Sequence, residues 1–122
     1  VHGESNYPFQ KRVSSLDIGL PNGAPDEEYL AAVGAGLDRS FAFGADFLIF
    51  VAGADPFVED RLGRLAVTRE GLARRDRMVF TRCIHEETPC LVVMGGGYCD
   101  PIDTTVELNL QSCRIGVELY RS

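Results

Sequence analysis

The chain has 122 residues, of which 18 are acidic and 12 basic, giving a net charge of −6, with 45% hydrophobic and 25% charged residues. That composition is typical of an ordinary globular domain or part of one and argues against wholesale disorder. The acidic balance argues against a nucleic-acid partner, which calls for a basic surface. No apolar run approaches the roughly 20 residues that cross a bilayer, so we expect no membrane partner either.

The cysteines and the first residues bear on the compartment. The four cysteines are Cys83, Cys90, Cys99 and Cys113. Because they show no C-x-x-C spacing, we predict reduced thiols, mostly in the core, in a cytoplasmic protein. The start at Val1-His-Gly3 has neither the basic head nor the apolar stretch of a secretory signal, and it resembles the middle of a fold. We therefore interpret the chain as a fragment.

The first 45 residues predict one short strand and one helix. Residues 1–14 are polar and irregular, and residues 15–20 alternate polar and apolar side chains, as a short edge strand does. A helix is predicted from Asp26, where three consecutive acids favour the first turn, to Gly44. Its apolar side chains recur at helical spacing at Leu30, Val33, Leu37 and Phe41.

Two apolar runs, residues 46–52 and 90–94, predict buried strands. Between them, Thr68 is a suitable N-cap for a helix that Pro89 terminates. Its predicted buried face consists of Leu72, Val79, Phe80, Cys83 and Ile84. The other face is predicted to be solvated, and most of the helix's arginines lie on it. These arginines are Arg69, Arg74, Arg75, Arg77 and Arg82.

The last helix is predicted to start at Asp100-Pro101, with aspartate as the N-cap and proline at the first helical position. Its predicted buried stripe consists of Ile102, Val106, Leu110, Cys113, Val117 and Tyr120.

This order of helices and strands predicts at least two parallel strands joined by a right-handed crossover. Both strands then end at the same edge of the sheet, so Asp55, after the first, and Tyr98, after the second, should lie side by side where such sheets bind ligands. His85 is expected at the opposite edge, and His2 belongs to the active edge only if a strand ends just before it. The alternative for Asp55 is a turn-initiating role before Pro56.

Gly95-Gly-Gly-Tyr98 follows the second strand directly. Consecutive glycines are typical of a sharp bend or of a close approach to the backbone. A nucleotide phosphate site is disfavoured because neither G-x-G-x-x-G nor G-x-x-x-x-G-K-[ST] is present. A tyrosine hydroxyl beside a metal-binding carboxylate can donate to a developing oxyanion. The alternative is a tyrosine that only covers the sheet edge.

Three motifs together resemble the zinc-dependent histone deacetylase superfamily, which includes bacterial deacetylase-like amidohydrolases, acetoin-utilisation proteins and acetylpolyamine amidohydrolases. They are Gly53-Ala-Asp-Pro-Phe-Val-Glu-Asp-Arg-Leu-Gly-Arg-Leu65, Thr68-Arg-Glu-Gly-Leu72 and Gly95-Gly-Gly-Tyr98. The segments His2-Gly…Asn6-Tyr-Pro-Phe9 and Leu16-Asp-Ile-Gly-Leu-Pro21 also resemble bacterial members.

The resemblance implies an α/β fold, as part of an arginase/deacetylase-like three-layer α/β/α sandwich with a mostly parallel sheet. It also implies site roles, in which Asp55 is a zinc ligand and Tyr98 is the catalytic donor to the amide oxygen. The substrate-binding residues that it implies are Leu62, Gly96, Gly97 and, by a looser match, Phe9 or Tyr7. For Asp60 and Arg61, in the same motif, we expect a structural ion pair.

One departure from the family is serious. Members take two further zinc ligands from an Asp-x-His motif and their general base from a His-His pair, whereas this chain contains only His2 and His85, outside such motifs. A catalytic zinc normally has three protein ligands. We therefore expect residues 1–122 to be the carboxyl-terminal portion of a single catalytic domain, inactive alone, with Zn²⁺ requiring ligands that this chain lacks.

The resemblance thus predicts a zinc-dependent deacetylase whose substrate is an acetylated lysine or a small acetylated amine. The alternative is a non-catalytic module of the same fold that self-associates through an exposed sheet edge. An arginase-like ureohydrolase is disfavoured, because such two-metal sites use clustered aspartates that are not seen here.

Overall fold

The computed structural model describes residues 1–122 and contains three long helices and two pairs of short parallel strands. In chain order the elements are β1 (His2–Gly3), β2 (Gly19–Leu20), α1 (Asp26–Ala42), β3 (Leu48–Ala52), α2 (Arg69–His85), β4 (Cys90–Met94) and α3 (Ile102–Arg121). β1 pairs with β2, and β3 with β4. The predicted strand over residues 15–20 is therefore confined to its last two residues, and His2 lies within a strand rather than after one.

The parallel pair β3–β4 agrees with the crossover predicted from the sequence. Leu48 is level with Cys90 and Ala52 with Met94, so both strands end at one edge. One face of the pair lies against α2, where the rings of Phe50 and Phe80 meet edge to face at 6.0 Å. The other face is open to solvent in this chain, with Ile49 62% exposed, so the prediction that these strands are buried is wrong for that face.

The helix α2 begins where the sequence predicts. The Thr68 hydroxyl accepts a hydrogen bond from the Gly71 amide at 3.0 Å, so Thr68 is the N-cap. The same hydroxyl donates to Asp26 Oδ2 at 2.6 Å, and the Thr68 amide donates to Asp26 Oδ1 at 2.7 Å. The cap therefore also joins the start of α1 to the start of α2.

The predicted buried stripe of α3 is wrong. Ile102 is 59% exposed, Val106 is 50% exposed and Tyr120 is 53% exposed. The remaining members are also exposed, namely Leu110, Cys113 and Val117. The buried side of α3 consists of Thr105, Leu108, Ser112 and Ile115.

A polar contact accounts for this orientation of α3. The buried carboxylate of Asp76 on α2 accepts a hydrogen bond from the Ser112 hydroxyl at 2.5 Å. A buried charge needs such partners, so the side of α3 that carries Ser112 faces α2. The predicted start of α3 is also one residue off, because Pro101 is the N-cap and the helix has no side-chain cap bond.

The main hydrophobic core lies beneath the loops that follow the strands, not beneath the strands themselves. It joins side chains of α1, of the loop after β3 and of the two later helices, and its members include Leu30, Ala54, Phe57, Val67, Leu72 and Leu108. A groove of about 680 Å³ runs along β3, lined by the consecutive residues 48–51 and by Val33 and Leu37 of α1. None of the three helices has both the length and the apolar composition needed to cross a membrane.

Candidate active-site loops

The loop after β3 and the loop after β4 meet directly. The amide of Ala54 donates to the carbonyl oxygen of Gly96 at 2.7 Å, and Ala54 is only 2% exposed. Asp55 follows this bond, at the carboxyl edge of the strand pair. The structure thus brings Asp55 beside the glycine loop, as the topology predicted. Burial raises the pKa of the Asp55 carboxyl, and the nearby charge of Asp60 acts in the same direction.

The consecutive glycines permit this close approach. A Cβ atom built on Gly96 would lie 3.0 Å from Asp55 Oδ1, and one on Gly97 would lie 2.5 Å from Thr105 Cγ2 and 3.1 Å from Ala54 Cβ. The φ angles of residues 95–97 are not positive, so a left-handed backbone is not the reason for glycine here. The glycines are therefore explained by a close approach of other atoms to the backbone. This is one of the two explanations that the sequence left open.

Asp60 forms no ion pair with Arg61, so that expectation is wrong. Asp60 is 8% exposed, and its carboxylate accepts three hydrogen bonds from backbone amides instead. Oδ1 accepts from Leu62 at 2.9 Å and from Gly63 at 2.7 Å, and Oδ2 accepts from Tyr98 at 2.6 Å. The amides supply the positive partners that the arginine was expected to supply, because the chain turns back around the carboxylate.

The side chains predicted to meet substrate are open to solvent. Tyr98 is 54% exposed and Leu62 is 58% exposed, so both project from loops whose backbones are anchored. Phe9 is 83% exposed in the segment between β1 and β2, where its ring lies edge-on to Tyr7 at 6.3 Å. No hydrogen bond or aromatic contact connects Phe9 to Asp55 or Tyr98. The structure therefore joins the loop residues to one another but does not join Phe9 to them.

Arg75 is a further residue that supports the site, and it is one of the five arginines that the sequence places mostly on a solvated face. The other four arginines of α2 do form exposed ion pairs, but Arg75 is only 3% exposed. Its Nη1 donates to the carbonyl oxygen of Gly53 at 2.6 Å, and its Nε donates to Asp76 Oδ1 at 2.8 Å. The guanidinium thus holds the backbone two residues before Asp55.

The sequence did contain a signal for Arg75. Positions 75 and 76 fall between Leu72 and Val79, which lie seven residues apart on the buried face of α2. A charged pair of opposite sign on an apolar helical face indicates a buried ion pair.

These residues do not by themselves fit a catalytic zinc ion. No group of three or more histidine, cysteine, aspartate or glutamate side chains in this chain could hold a metal. His2 lies in β1 and pairs in register with Gly19, while His85 ends α2 at the edge opposite the loops. Asp55 is a single carboxylate, whereas catalytic zinc sites have three protein ligands.

Comparisons with known proteins agree with this architecture. The model of the histone deacetylase domain matches residues 2–111. A protein of Picosynechococcus is 41% identical over 107 residues, which cover 87% of this chain and 36% of the relative.

Two solved structures share the fold. A histone deacetylase homologue complexed with SAHA has a TM-score of 0.73 at 23% identity, over 94% of this chain and 33% of that chain. The acetylpolyamine aminohydrolase from Burkholderia pseudomallei has a TM-score of 0.68 at 24% identity, over 83% of this chain and 28% of that chain. These structures confirm the predicted α/β fold class. The chain spans about a third of the length of each of these three relatives. Because the domain model covers nearly all of the chain, the chain belongs to the histone deacetylase family.

Proposed function

We propose that residues 1–122 are the carboxyl-terminal portion of a single deacetylase-like catalytic domain. The complete domain hydrolyses the amide bond of an acetylated lysine or of a small acetylated amine. The observation that carries the proposal is the meeting of the Asp55 loop with the loop of Gly96 and Tyr98, within a region that the family model matches. A cytoplasmic location belongs to the same proposal and is supported by the four free cysteines.

In this proposal the residues of the chain bind and orient the substrate. The Tyr98 hydroxyl donates a hydrogen bond to the amide oxygen as negative charge develops there. Leu62 supplies an apolar side chain at the mouth of the site, and the backbone of Gly96 and Gly97 forms one wall. Phe9 is proposed as an aromatic wall, although it requires the segment after β1 to approach these loops.

The proposal requires groups from outside the 122 residues. Asp55 supplies one carboxylate ligand, and the other two ligands of a zinc ion and the general base must come from elsewhere. With a complete set of ligands, such an ion would polarise the amide carbonyl and activate water. Because this chain holds one ligand, we propose that it is inactive alone.

The direct test is acetate release from an acetyl-lysine peptide, measured for this chain and for the complete protein, with added zinc and with a chelator. We expect turnover by the complete protein only, and its loss on chelation. Turnover by the 122-residue chain alone would contradict the proposed half-site.

The role of Tyr98 has a matched pair of variants. Tyr98→Phe in the complete protein should lower kcat by roughly 10²–10³, the scale for one oxyanion donor. Tyr120→Phe removes a hydroxyl from the exposed side of α3 and should leave kcat unchanged. A near-normal rate in Tyr98→Phe contradicts the assignment.

The second candidate function is a non-catalytic module that self-associates. It is favoured by the open face of the strand pair, where Ile49 is 62% exposed and Val51 is 61% exposed, and by the unpaired outer edges of a two-stranded sheet. Light scattering over a range of concentrations separates the candidates. A compact monomer at all concentrations contradicts self-association.

A further inference from the structure

We propose that Asp60 is a positioning residue that sets the location of Tyr98, and of Leu62, relative to the Asp55 loop. Its consequence for turnover rests on the proposed function, but its geometry does not. Asp60 belongs to the loop after β3, whereas Tyr98 belongs to the loop after β4. The carboxylate of Asp60 joins them through the 2.6 Å bond that the Tyr98 amide donates to Oδ2.

One carboxylate serves Tyr98 and Leu62, two of the candidate substrate-contacting residues. Its Oδ1 accepts from the amides of Leu62 and Gly63 at 2.9 and 2.7 Å, so it also closes the turn that presents Leu62. Hydrogen bonds to an ionised acceptor are roughly twice as strong as those between neutral groups. Since Asp60 is 8% exposed, little water competes for these oxygens. The separation of the two side chains is therefore set largely by this one acidic side chain.

The backbone anchor matters because the side chain of Tyr98 has no anchor of its own. Its ring is half exposed, and its hydroxyl forms no hydrogen bond within the chain. The backbone around it is tied at three points, by Gly96 to Ala54, by Tyr98 to Asp60, and by Cys99, whose amide donates to Thr105 Oγ1 at 3.1 Å. Of these three hydrogen bonds, the one at Tyr98 is accepted by a charged side chain, which belongs to the loop of Asp55.

The chemistry of the tie requires an aspartate. An asparagine has nearly the same shape but only one oxygen acceptor, and its NH₂ group would face a donor. Asp60→Asn must therefore lose either the bond to Tyr98 or the bonds to Leu62 and Gly63. Glu59→Gln is the matched control, because it makes the same change of acid to amide at the adjacent, exposed position.

The first test is amide hydrogen exchange of the 122-residue chain, followed residue by residue by NMR. We expect Asp60→Asn to speed exchange at Tyr98, or at Leu62 and Gly63, by about 10-fold or more, with the amides of β3 and β4 unchanged. Glu59→Gln should change none of them. Equal acceleration throughout the chain would mean a general stabilising role and would overturn the proposal.

If Asp60→Asn does not fold, hydrogen exchange of the wild-type chain alone provides the test. The amides of Leu62, Gly63 and Tyr98 should then be protected from exchange relative to exposed loop amides in the wild type. Unprotected amides at these positions would overturn the proposal.

The second test is a double-mutant cycle on kcat in the complete protein. Asp60→Asn should lower kcat about 10–100-fold with a smaller change in KM, and should have little further effect in the Tyr98→Phe background. Additive effects overturn the claim that Asp60 acts through Tyr98. If Tyr98→Phe alone is harmless, the proposed catalytic role of Tyr98 fails, while the exchange experiment still decides whether Asp60 holds the loop.

Discussion

The loops at the carboxyl edge of β3 and β4 are held together by contacts with one another and with the helices, whereas the outer faces of the same molecule are exposed to solvent. At the edge, Ala54 is 2% exposed and the carboxylate of Asp60 accepts hydrogen bonds from three backbone amides. On the open face of the same strands, Ile49 is 62% exposed and Val51 is 61% exposed. The outer side of α3 is likewise apolar and exposed.

This difference shows which contacts the chain provides for itself. The loop edge has several partners within the 122 residues, including Arg75 beneath it and Thr105 beside it. Parallel sheets are normally covered on both faces, and here only one face is covered. The loops of the candidate site are therefore held by contacts within the chain, whereas the sheet is covered on one face only.

The largest expected effect is the loss of the buried ion pair under the loops. Asp76 is 0% exposed and accepts from Arg75 Nε at 2.8 Å and from Ser112 at 2.5 Å. Asp76→Ala leaves a buried guanidinium without its charge partner, so the free energy of unfolding should fall by about 3–5 kcal/mol in urea denaturation. Glu118→Ala, at an exposed pair with Arg77, is the control and should cost far less. Equal losses would remove the contrast.

A smaller loss is expected from crowding the loop contact. The Cβ of Gly97→Ala would meet Thr105 Cγ2 at 2.5 Å, which should lower the free energy of unfolding by about 1–3 kcal/mol. The control is Gly34→Ala in α1, where the nearest atom is Met78 Cε at 3.7 Å. Because alanine favours helix, this control should be neutral or stabilising by up to about 1 kcal/mol. A harmless Gly97→Ala, measured by urea denaturation, would mean that the loops are not tightly held.

The interior should also respond to alkaline pH through Cys83. Burial raises the pKa of this thiol from 9.0 to about 12, and the residue is 1% exposed. The unfolded chain therefore loses the proton first, and the stabilisation present below pH 9 is lost as the pH rises towards 12. We expect a loss of roughly 1 kcal/mol at pH 10, one pH unit above the ordinary pKa of the thiol.

The check is urea denaturation of wild type and variants between pH 8 and pH 10. Cys83→Ala should show a shallower decline with pH than wild type, whereas Cys113→Ala, at an exposed thiol, should not. Parallel curves for all three proteins would contradict the assignment to Cys83.

The smallest effect is expected on the open face. Ile49→Thr keeps a β-branched side chain at a 62% exposed position, so the free energy of unfolding should change by no more than about 0.5 kcal/mol. Val79→Thr, at a 2% exposed position, is the matched control and should cost more because it buries a hydroxyl. Light scattering of Ile49→Thr also tests self-association, which should decrease if this face mediates it.

Sequence reasoning was accurate where the signal is local. The apolar runs that became β3 and β4, the N-cap at Thr68 and the adjacency of the two loops follow from composition, side-chain chemistry and the geometry of a parallel crossover. The family and the fold class predicted from the motifs are confirmed by the matched domain and the similar structures. The roles of Asp55, Tyr98, Leu62 and Phe9 remain predictions.

Sequence reasoning was wrong where the outcome depends on a distant partner. The helix α3 carries two stripes with apolar residues, and periodicity does not say which one faces α2. The buried Asp76 selects the stripe with Ser112, which lies 36 residues away in sequence. Arg75 and Asp60 were misassigned for a similar reason, since a charged side chain is buried only if backbone or side-chain partners from other segments meet it.

The sequence by itself therefore determined the three long helices and the strands β3 and β4, the family to which they belong, and that Asp55 and Tyr98 occupy the same edge. Periodicity and caps are properties of short stretches of chain, so a single sequence reveals them. Only the tertiary structure decided that Arg75 holds Gly53, that Asp60 binds three amides across two loops, and which face of α3 is buried. Those outcomes depend on satisfying buried polar groups, and the partners that do so come together only when the chain folds.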